Sequence, residues 1–245
     1  MLYEIAHFLR DKTPWVWDCA SVINSVLFSM RYGKKILQIE SAQLSISEHG
    51  YGLTIKNGGN LEVLPIRKVA TEALTDFFSR QPIEAYRFFK PHGFDKKSIN
   101  KLQRDRAFLG YVLMDVTANR IVGYCFNRSF FFGKGFRGRL VDIDCRGRGL
   151  GTMMNCLLNE VGFGIGLRLF ETVSKDNVAS YRSAISASDI KVVAELPHNE
   201  LYLEIMNSVK LKNGNDANPI GGGSSCVVIL QPLFVVCNRQ ERRAA

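Results

Sequence analysis

The sequence predicts an α/β (α+β) protein, helices and strands together in one main domain, preceded by an N-terminal helical extension. Three observations carry that prediction. Apolar residues recur at helical spacing in several separate segments, β-rich runs joined by short turns fill the middle of the chain, and one such run passes through a glycine-rich turn directly into a helical pattern. The 245 residues are 46% hydrophobic and 22% charged, which fits a globular chain of one large domain with a modest appendage and excludes disordered and collagen-like classes. No apolar run reaches the roughly 20 residues that span a bilayer. Met1 to Arg10 interleaves Glu4, His7 and Arg10 with its apolar residues, unlike a signal peptide, so a cytoplasmic location is expected.

In chain order, Leu2, Ile5, Phe8 and Leu9 share one helical face, and Val22, Ile23, Val26, Leu27 and Met30 share another, with Pro14 between them. Two short amphipathic helices are therefore expected within residues 1–44. Trp15 and Trp17, flanked by Arg10, Lys12, Arg31, Lys34 and Lys35, suit either packing on the main domain or peripheral contact with an anionic membrane. A hairpin follows, Leu53 to Ile55 and Leu61 to Ile66 around Asn57-Gly58-Gly59-Asn60, opening a main domain over residues 45–238. Val69 to Phe78 reads as helix, Ile83 to Phe89 as a short helical turn, and Lys90-Pro91-His92-Gly93 as a loop. Phe108 to Val116, Arg120 to Asn127 and Arg139 to Ile143 read as strands. Asn213 to Ser225 reads as a flexible connection, and residues 239–245 as a solvated tail.

Six cysteines without a C-x-x-C pair and four scattered histidines give no metal-site spacing, so no metal is expected. The net charge of +9 is concentrated: residues 61–150 hold 17 basic and 9 acidic side chains, whereas the segments on either side are nearly balanced. Arg120, Arg128, Lys134, Arg137, Arg139, Arg146 and Arg148 face only Asp142 and Asp144, a surplus that suits either an anionic ligand or a solvated basic face. Without a recognisable nucleic-acid motif, no nucleic-acid partner is expected.

Val141-Asp142-Ile143-Asp144-Cys145-Arg146-Gly147-Arg148-Gly149-Leu150-Gly151-Thr152 leads into the helical pattern Met153, Met154, Leu157, Leu158, Val161. Glycines in such a turn let a phosphate approach the backbone, and the free N–H groups of the first helical turn attract anions. The segment matches neither the P-loop nor the G-x-G-x-x-G pattern, which fails at Thr152.

Arg146-x-x-Gly149-x-Gly151 resembles the Q/R-x-x-G-x-G/A motif of the GCN5-related N-acetyltransferase (GNAT) family, and the likeness extends over about residues 60 to 235. Asp176-Asn177-Val178-Ala179-Ser180 resembles the Asn-x-x-Ser that opens the family's fourth helix. Leu167 to Val173, Ile190 to Leu196 and Cys226 to Leu233 resemble its last three strands. The resemblance implies a mixed, mostly antiparallel sheet with helices on both faces, splayed between the family's fourth and fifth strands, with acetyl-CoA as co-substrate in the gap. The pyrophosphate would lie on Arg146, Gly147, Arg148, Gly149, Leu150, Gly151 and Thr152, and the pantetheine arm would pair with the backbone at Val141 and Ile143. Asn177 and Ser180 would contact the end of that arm.

The implied activity is direct acetyl transfer to a primary amine of a small molecule, with an amino sugar or nucleotide-linked amino sugar of surface-polysaccharide synthesis as the expected acceptor. A non-catalytic acyl-CoA-binding module is the alternative. A homodimer is a further expectation. The family's leaving-group acid is a tyrosine seven residues after the asparagine, where this chain has Ala184. Tyr181, about 60° away round the helix, is the substitute candidate. Asp142 and His92 are the candidate bases, His92 because its loop borders the family's acceptor pocket and its ordinary pKa is near neutral.

Overall fold

A computed structural model describes residues 14–48, 53–54 and 60–207. Helix α1 (Pro14–Glu48) is followed by β1 (Leu53–Thr54), β2 (Asn60–Pro65), α2 (Thr71–Ser79), α3 (Lys96–Arg104), β3 (Phe108–Asp115), β4 (Arg120–Phe130) and β5 (Lys134–Val141). Then come α4 (Leu150–Ile165), β6 (Arg168–Ser174), α5 (Val178–Ala187), β7 (Ile190–Leu196) and β8 (Glu200–Ile205). The eight strands form one sheet in the order β1-β2-β3-β4-β5-β6-β8-β7. Every pairing is antiparallel except β5–β6.

Alternation along the strands sends side chains into two cores, one on each face. One face packs Leu109, Tyr111, Leu113 and Cys125 against α4, whose Met154, Leu158, Val161 and Ile165 recur at helical spacing, and against Phe28, Tyr32 and Ile36 of α1. The other packs Val112, Ile121, Tyr124, Phe126 and Leu140 against α2 and α3 through Leu74, Phe77, Phe78 and Ile99.

The second N-terminal helix expected from the sequence is far longer, 35 residues from Pro14, because its apolar face continues through Tyr32 and Ile36 onto the sheet. The helix expected before Pro14 lies outside the described residues. The third central strand begins at Lys134 instead of residue 139 and stops at Val141. Beside β6 stands β8, joined to β7 by a turn in which His198 and Asn199 take left-handed backbone angles of +63° and +62°. The strand expected at residues 226–233 lies outside the described residues, as does the loop before it.

Strands β5 and β6 pair only at Lys134↔Arg168, Gly135↔Leu169 and Phe136↔Phe170. Beyond those three pairs β5 continues to Val141 alongside β4, and β6 continues to Ser174 alongside β8. The sheet therefore opens into a cleft with residues 137–141 along one rim.

Candidate functional site

The cleft leads to the glycine-rich loop. After β5 the chain makes a 3-10 turn, Ile143–Cys145, and the loop Arg146–Gly149 then enters α4. Gly147 and Gly149 have φ of +74° and +83°, left-handed angles that side-chain-bearing residues avoid. A Cβ on Gly147 would meet nothing within 4 Å, so the loop's outer surface is open. Gly149 is the N-cap of α4 and no side chain caps it, leaving the first-turn amides of Leu150, Gly151 and Thr152 for an external acceptor. Arg146 and Arg148 are exposed on the same loop. The loop has the geometry and charge of an anion cradle.

Asp142 holds this loop in place. It is 1% exposed, and its Oδ2 accepts from Arg80 Nη2 (2.9 Å), Arg80 Nε (3.2 Å) and Gln81 Nε2 (3.2 Å). Its Oδ1 accepts the amide of Asp144 at 3.1 Å, capping the 3-10 turn. Burial pushes its pKa up, but the Arg80, Asp144 and Gln81 hydrogen bonds and the Arg80 charge outweigh burial and hold it below the usual carboxylate range. A carboxylate so occupied is a poor proton acceptor at neutral pH. The strand expected to run to Ile143 ends at Val141, so Asp142 and Asp144 stand beyond it: Asp142 is buried and Asp144 exposed. Ile143 is also in the turn, and its amide donates to Gln81 Oε1 at 3.1 Å, so it is not free to pair with a ligand. Val141 keeps its place on the cleft rim.

On the far side of the cleft, Asn177 caps α5 by accepting the Ser180 amide at 3.2 Å. Ser180 offers its carbonyl (2.8 Å) and Oγ (2.9 Å) to Arg139 Nη2. Tyr181 is half-buried, and its hydroxyl has no hydrogen-bond partner among the described residues. Ala184 is fully buried.

His92 is elsewhere. It lies on the opposite face among Phe78, Phe94, Phe108 and Phe126, with ring centroids 5.0–6.0 Å away. Nδ1 donates to the Gly93 carbonyl (2.8 Å), which makes Nε2 the acceptor of the Tyr124 hydroxyl (2.9 Å). Burial lowers its pKa to about 4, opposed by the Gly93 hydrogen bond and assisted by Arg128. Tyr124 is on β4, so β5 stands between this pair and the cleft.

The basic cluster seen in the sequence also divides. Arg146 and Arg148 stay at the loop with Arg120, which approaches Asp144 at 4.0 Å. Arg128 lies over the Phe108 ring on the opposite face. Arg137 and Arg139 turn inward to Glu171. Sequence reasoning missed Arg80, Gln81, Glu171 and Ser183, none of which belongs to a motif; their roles come from strands and helices distant in sequence meeting at the cleft.

No protein-family model matches the chain, and neither does any curated protein sequence. Solved structures do resemble it. The GNAT domain of S. lividans PAT superposes with a TM-score of 0.55 at 15% identity, over 63% of this chain and 94% of that one. A putative acetyltransferase from Salmonella typhimurium, solved with its cofactor acetyl-CoA, gives 0.49 at 14% identity over 68% and 99%. A domain from Methanocaldococcus jannaschii gives 0.49 at 17% over 60% and 98%. The chain has the GNAT fold.

Proposed function

We propose that the protein is an acetyl-CoA-dependent N-acetyltransferase that passes the acetyl group directly to a primary amine of a small molecule. The observation that carries this reading is the conjunction of the β5–β6 cleft with the anion cradle at its mouth. The loop amides and Arg146 and Arg148 would take the pyrophosphate, and the open rim of β5 at Val141 would receive the pantetheine arm as an added strand. Asn177 and Ser180 border the inner end of that path. Acetyl-CoA supplies an activated acyl group; the protein supplies position, exclusion of water and charge. In this reading the acceptor is an amino sugar or nucleotide-linked amino sugar.

A second reading, a non-catalytic acyl-CoA-binding module, is favoured by the fully buried Ala184 in place of the family's tyrosine.

Calorimetric titration with acetyl-CoA tests the site, comparing wild type with Thr152→Glu. A carboxylate in the first turn of α4 stabilises the helix by roughly 0.3–1 kcal/mol while repelling phosphate, so lost binding would not reflect lost fold. Wild-type binding abolished by Thr152→Glu supports the reading, and no binding by wild type refutes it. Release of free thiol in the presence of amino-sugar acceptors separates enzyme from binding module.

A further inference from the structure

The face of the cleft under α4 and α5 carries a buried ionic cluster that the reading above does not use. Arg137, with a fully buried side chain, donates from Nε to Glu171 Oε2 at 2.7 Å. Arg139, whose side chain is 8% exposed, donates from Nη1 to the same oxygen at 2.9 Å. These pairs bridge β5 to β6 where their backbones have parted. The second Arg139 amino group reaches α5, donating to the Ser180 carbonyl at 2.8 Å and to Ser180 Oγ and Ser183 Oγ at 2.9 Å each. Asn155 of α4 donates to that Ser183 hydroxyl at 3.3 Å. Arg137 Nη1 donates to Asn159.

Two features make this cluster more than a structural clamp. The first is its charge. Two guanidinium groups share one carboxylate, and the Arg137 and Arg139 charges hold the Glu171 carboxyl below its usual range despite burial; a guanidinium keeps its charge in proteins. The cluster therefore carries a buried surplus of one positive charge, which costs free energy unless an anion arrives to meet it. Within the cluster one buried donor, Arg137 Nη2, and one buried acceptor, Glu171 Oε1, have no partner. The second feature is position. Ser180 is four residues before Ala184 and Ser183 is adjacent to it, so the Arg139 guanidinium lies against the helical turn that bears the fully buried alanine. The same Ser183 side chain lies 3.6 Å from the position of a Cβ on Gly151, linking the cluster to the phosphate cradle.

We propose that Arg139, held by Glu171, Ser180 and Ser183, stabilises the coenzyme A sulfur as a thiolate, in place of a proton-donating side chain. The inference rests on the acetyl-transfer reading. In the reaction the amine lone pair forms the carbon–nitrogen bond and the carbon–sulfur bond breaks with its electron pair on sulfur. The proton lost by nitrogen passes to water. Sulfur departs as an anion paired with the guanidinium, and no acid is needed at position 184. A guanidinium cannot act as the acid itself, since it keeps its proton throughout the accessible pH range. Its contribution is a fixed charge aimed at the atom where negative charge develops.

The test reads thiol ionisation as well as turnover. Coenzyme A bound to the full-length protein is titrated by the ultraviolet absorbance of its thiolate, for wild type, Arg139→Gln and Arg139→Lys, with calorimetry against acetyl-CoA for each. Wild type should lower the bound thiol's pKa relative to free coenzyme A, Arg139→Gln should raise it again by about one to two units, and Arg139→Lys should fall between. Each unit corresponds to a tenfold change in thiolate stabilisation. Calorimetry with acetyl-CoA establishes for each variant that the site is still formed, and each thiol titration is read at saturating coenzyme A, so that an altered affinity does not enter the comparison. A second measurement needs no variant: wild-type affinity for coenzyme A should tighten with rising pH relative to the desulfo analogue. Identical thiol titrations in wild type and Arg139→Gln, or identical pH dependence for coenzyme A and its desulfo analogue, would overturn the role of Arg139 while leaving acetyl-CoA binding intact. If wild type binds neither coenzyme A nor acetyl-CoA, the acetyl-transfer reading fails and the inference with it.

Discussion

Phe28→Ala should destabilise the entire domain, because Phe28 is a core residue carried on α1. It is 0% exposed, its ring centroid is 4.8 Å from that of Tyr32, and it belongs to the cluster that includes Leu109, Tyr111 and Leu158. Truncating a buried phenylalanine to alanine costs about 3–5 kcal/mol, through lost transfer energy and the cavity left behind. For a chain of this size 1 kcal/mol corresponds to about 2–4 °C in Tm, so the expected fall is about 6–20 °C. Met30→Ala, two residues away on the same helix but at a position 79% exposed, should change stability by less than about 0.5 kcal/mol. Thermal and guanidinium unfolding would be followed by far-ultraviolet circular dichroism and by tryptophan fluorescence. The only tryptophans, Trp15 and Trp17, lie at the start of α1, so fluorescence reports that helix and dichroism the whole chain. The two transitions should coincide. A Phe28→Ala midpoint equal to wild type, or a fluorescence transition well below the dichroism transition, would show that α1 is an attachment and that the packing argument is wrong.

His92 is held neutral by burial, so its stabilising contribution is complete above its unfolded pKa of about 6.5 and is lost as pH falls toward about 4. Wild-type stability should decline across that window by about 2–3 kcal/mol, and a His92→Gln variant should lack that slope in urea titrations at successive pH values. Glu160 shows the opposite sign: burial lifts its pKa to about 7, so its contribution is present below the unfolded value of about 4.5 and is lost as pH rises toward 7. Glu160→Gln should therefore raise stability at pH 8 by about 1–3 kcal/mol while leaving it nearly unchanged at about pH 4, measured by the same titrations. Asp142→Asn should cost about 1–3 kcal/mol at pH 7, moderated because Arg80 is about one-third exposed, and should raise proteolytic sensitivity of the loop at Arg146 and Arg148. Trp15, Val22, Ile23, Val26 and Met30 of α1 are all more than half exposed. If that face serves peripheral membrane contact, wild type should float with anionic vesicles and Val26→Glu/Met30→Glu should not; wild type remaining in the dense fraction would end that proposal.

What was legible in the sequence was legible for physical reasons. The loop from Arg146 to Thr152 could be read because glycine at left-handed angles and an uncapped helix start are requirements of the local backbone. Helix α4 and strands β3 and β4 announce themselves through their buried positions. Helix α3 did not, since Ile99 is its one fully buried residue and its remaining signal is the Asp95 cap on Ser98. The first half of β5 is hidden by Lys134, Gly135, Arg137 and Gly138; Arg137 is accommodated there by Glu171, and Gly138 lets the Phe126 ring lie close against the strand. The anchoring contacts of Asp142 are hidden from the sequence for a related reason. Its partners Arg80 and Gln81 lie about 60 residues away, and no local pattern tells a carboxylate that anchors a loop from one that takes a proton.

The three residue pairs joining β5 to β6 also make a mechanical seam. On either side of it the backbone ladder is long, eight pairs between β4 and β5 and six between β6 and β8. Two stiff plates thus share a short hinge line, and above it they are linked through side chains and through the helices laid across both. A ligand that lends its own amides to the rim at residues 137–141 would act as mortar in that joint. Occupancy should then slow amide exchange along the upper part of β5 far more than in β3, so the stiffness of one seam would report on a molecule bound many residues away from most of the core.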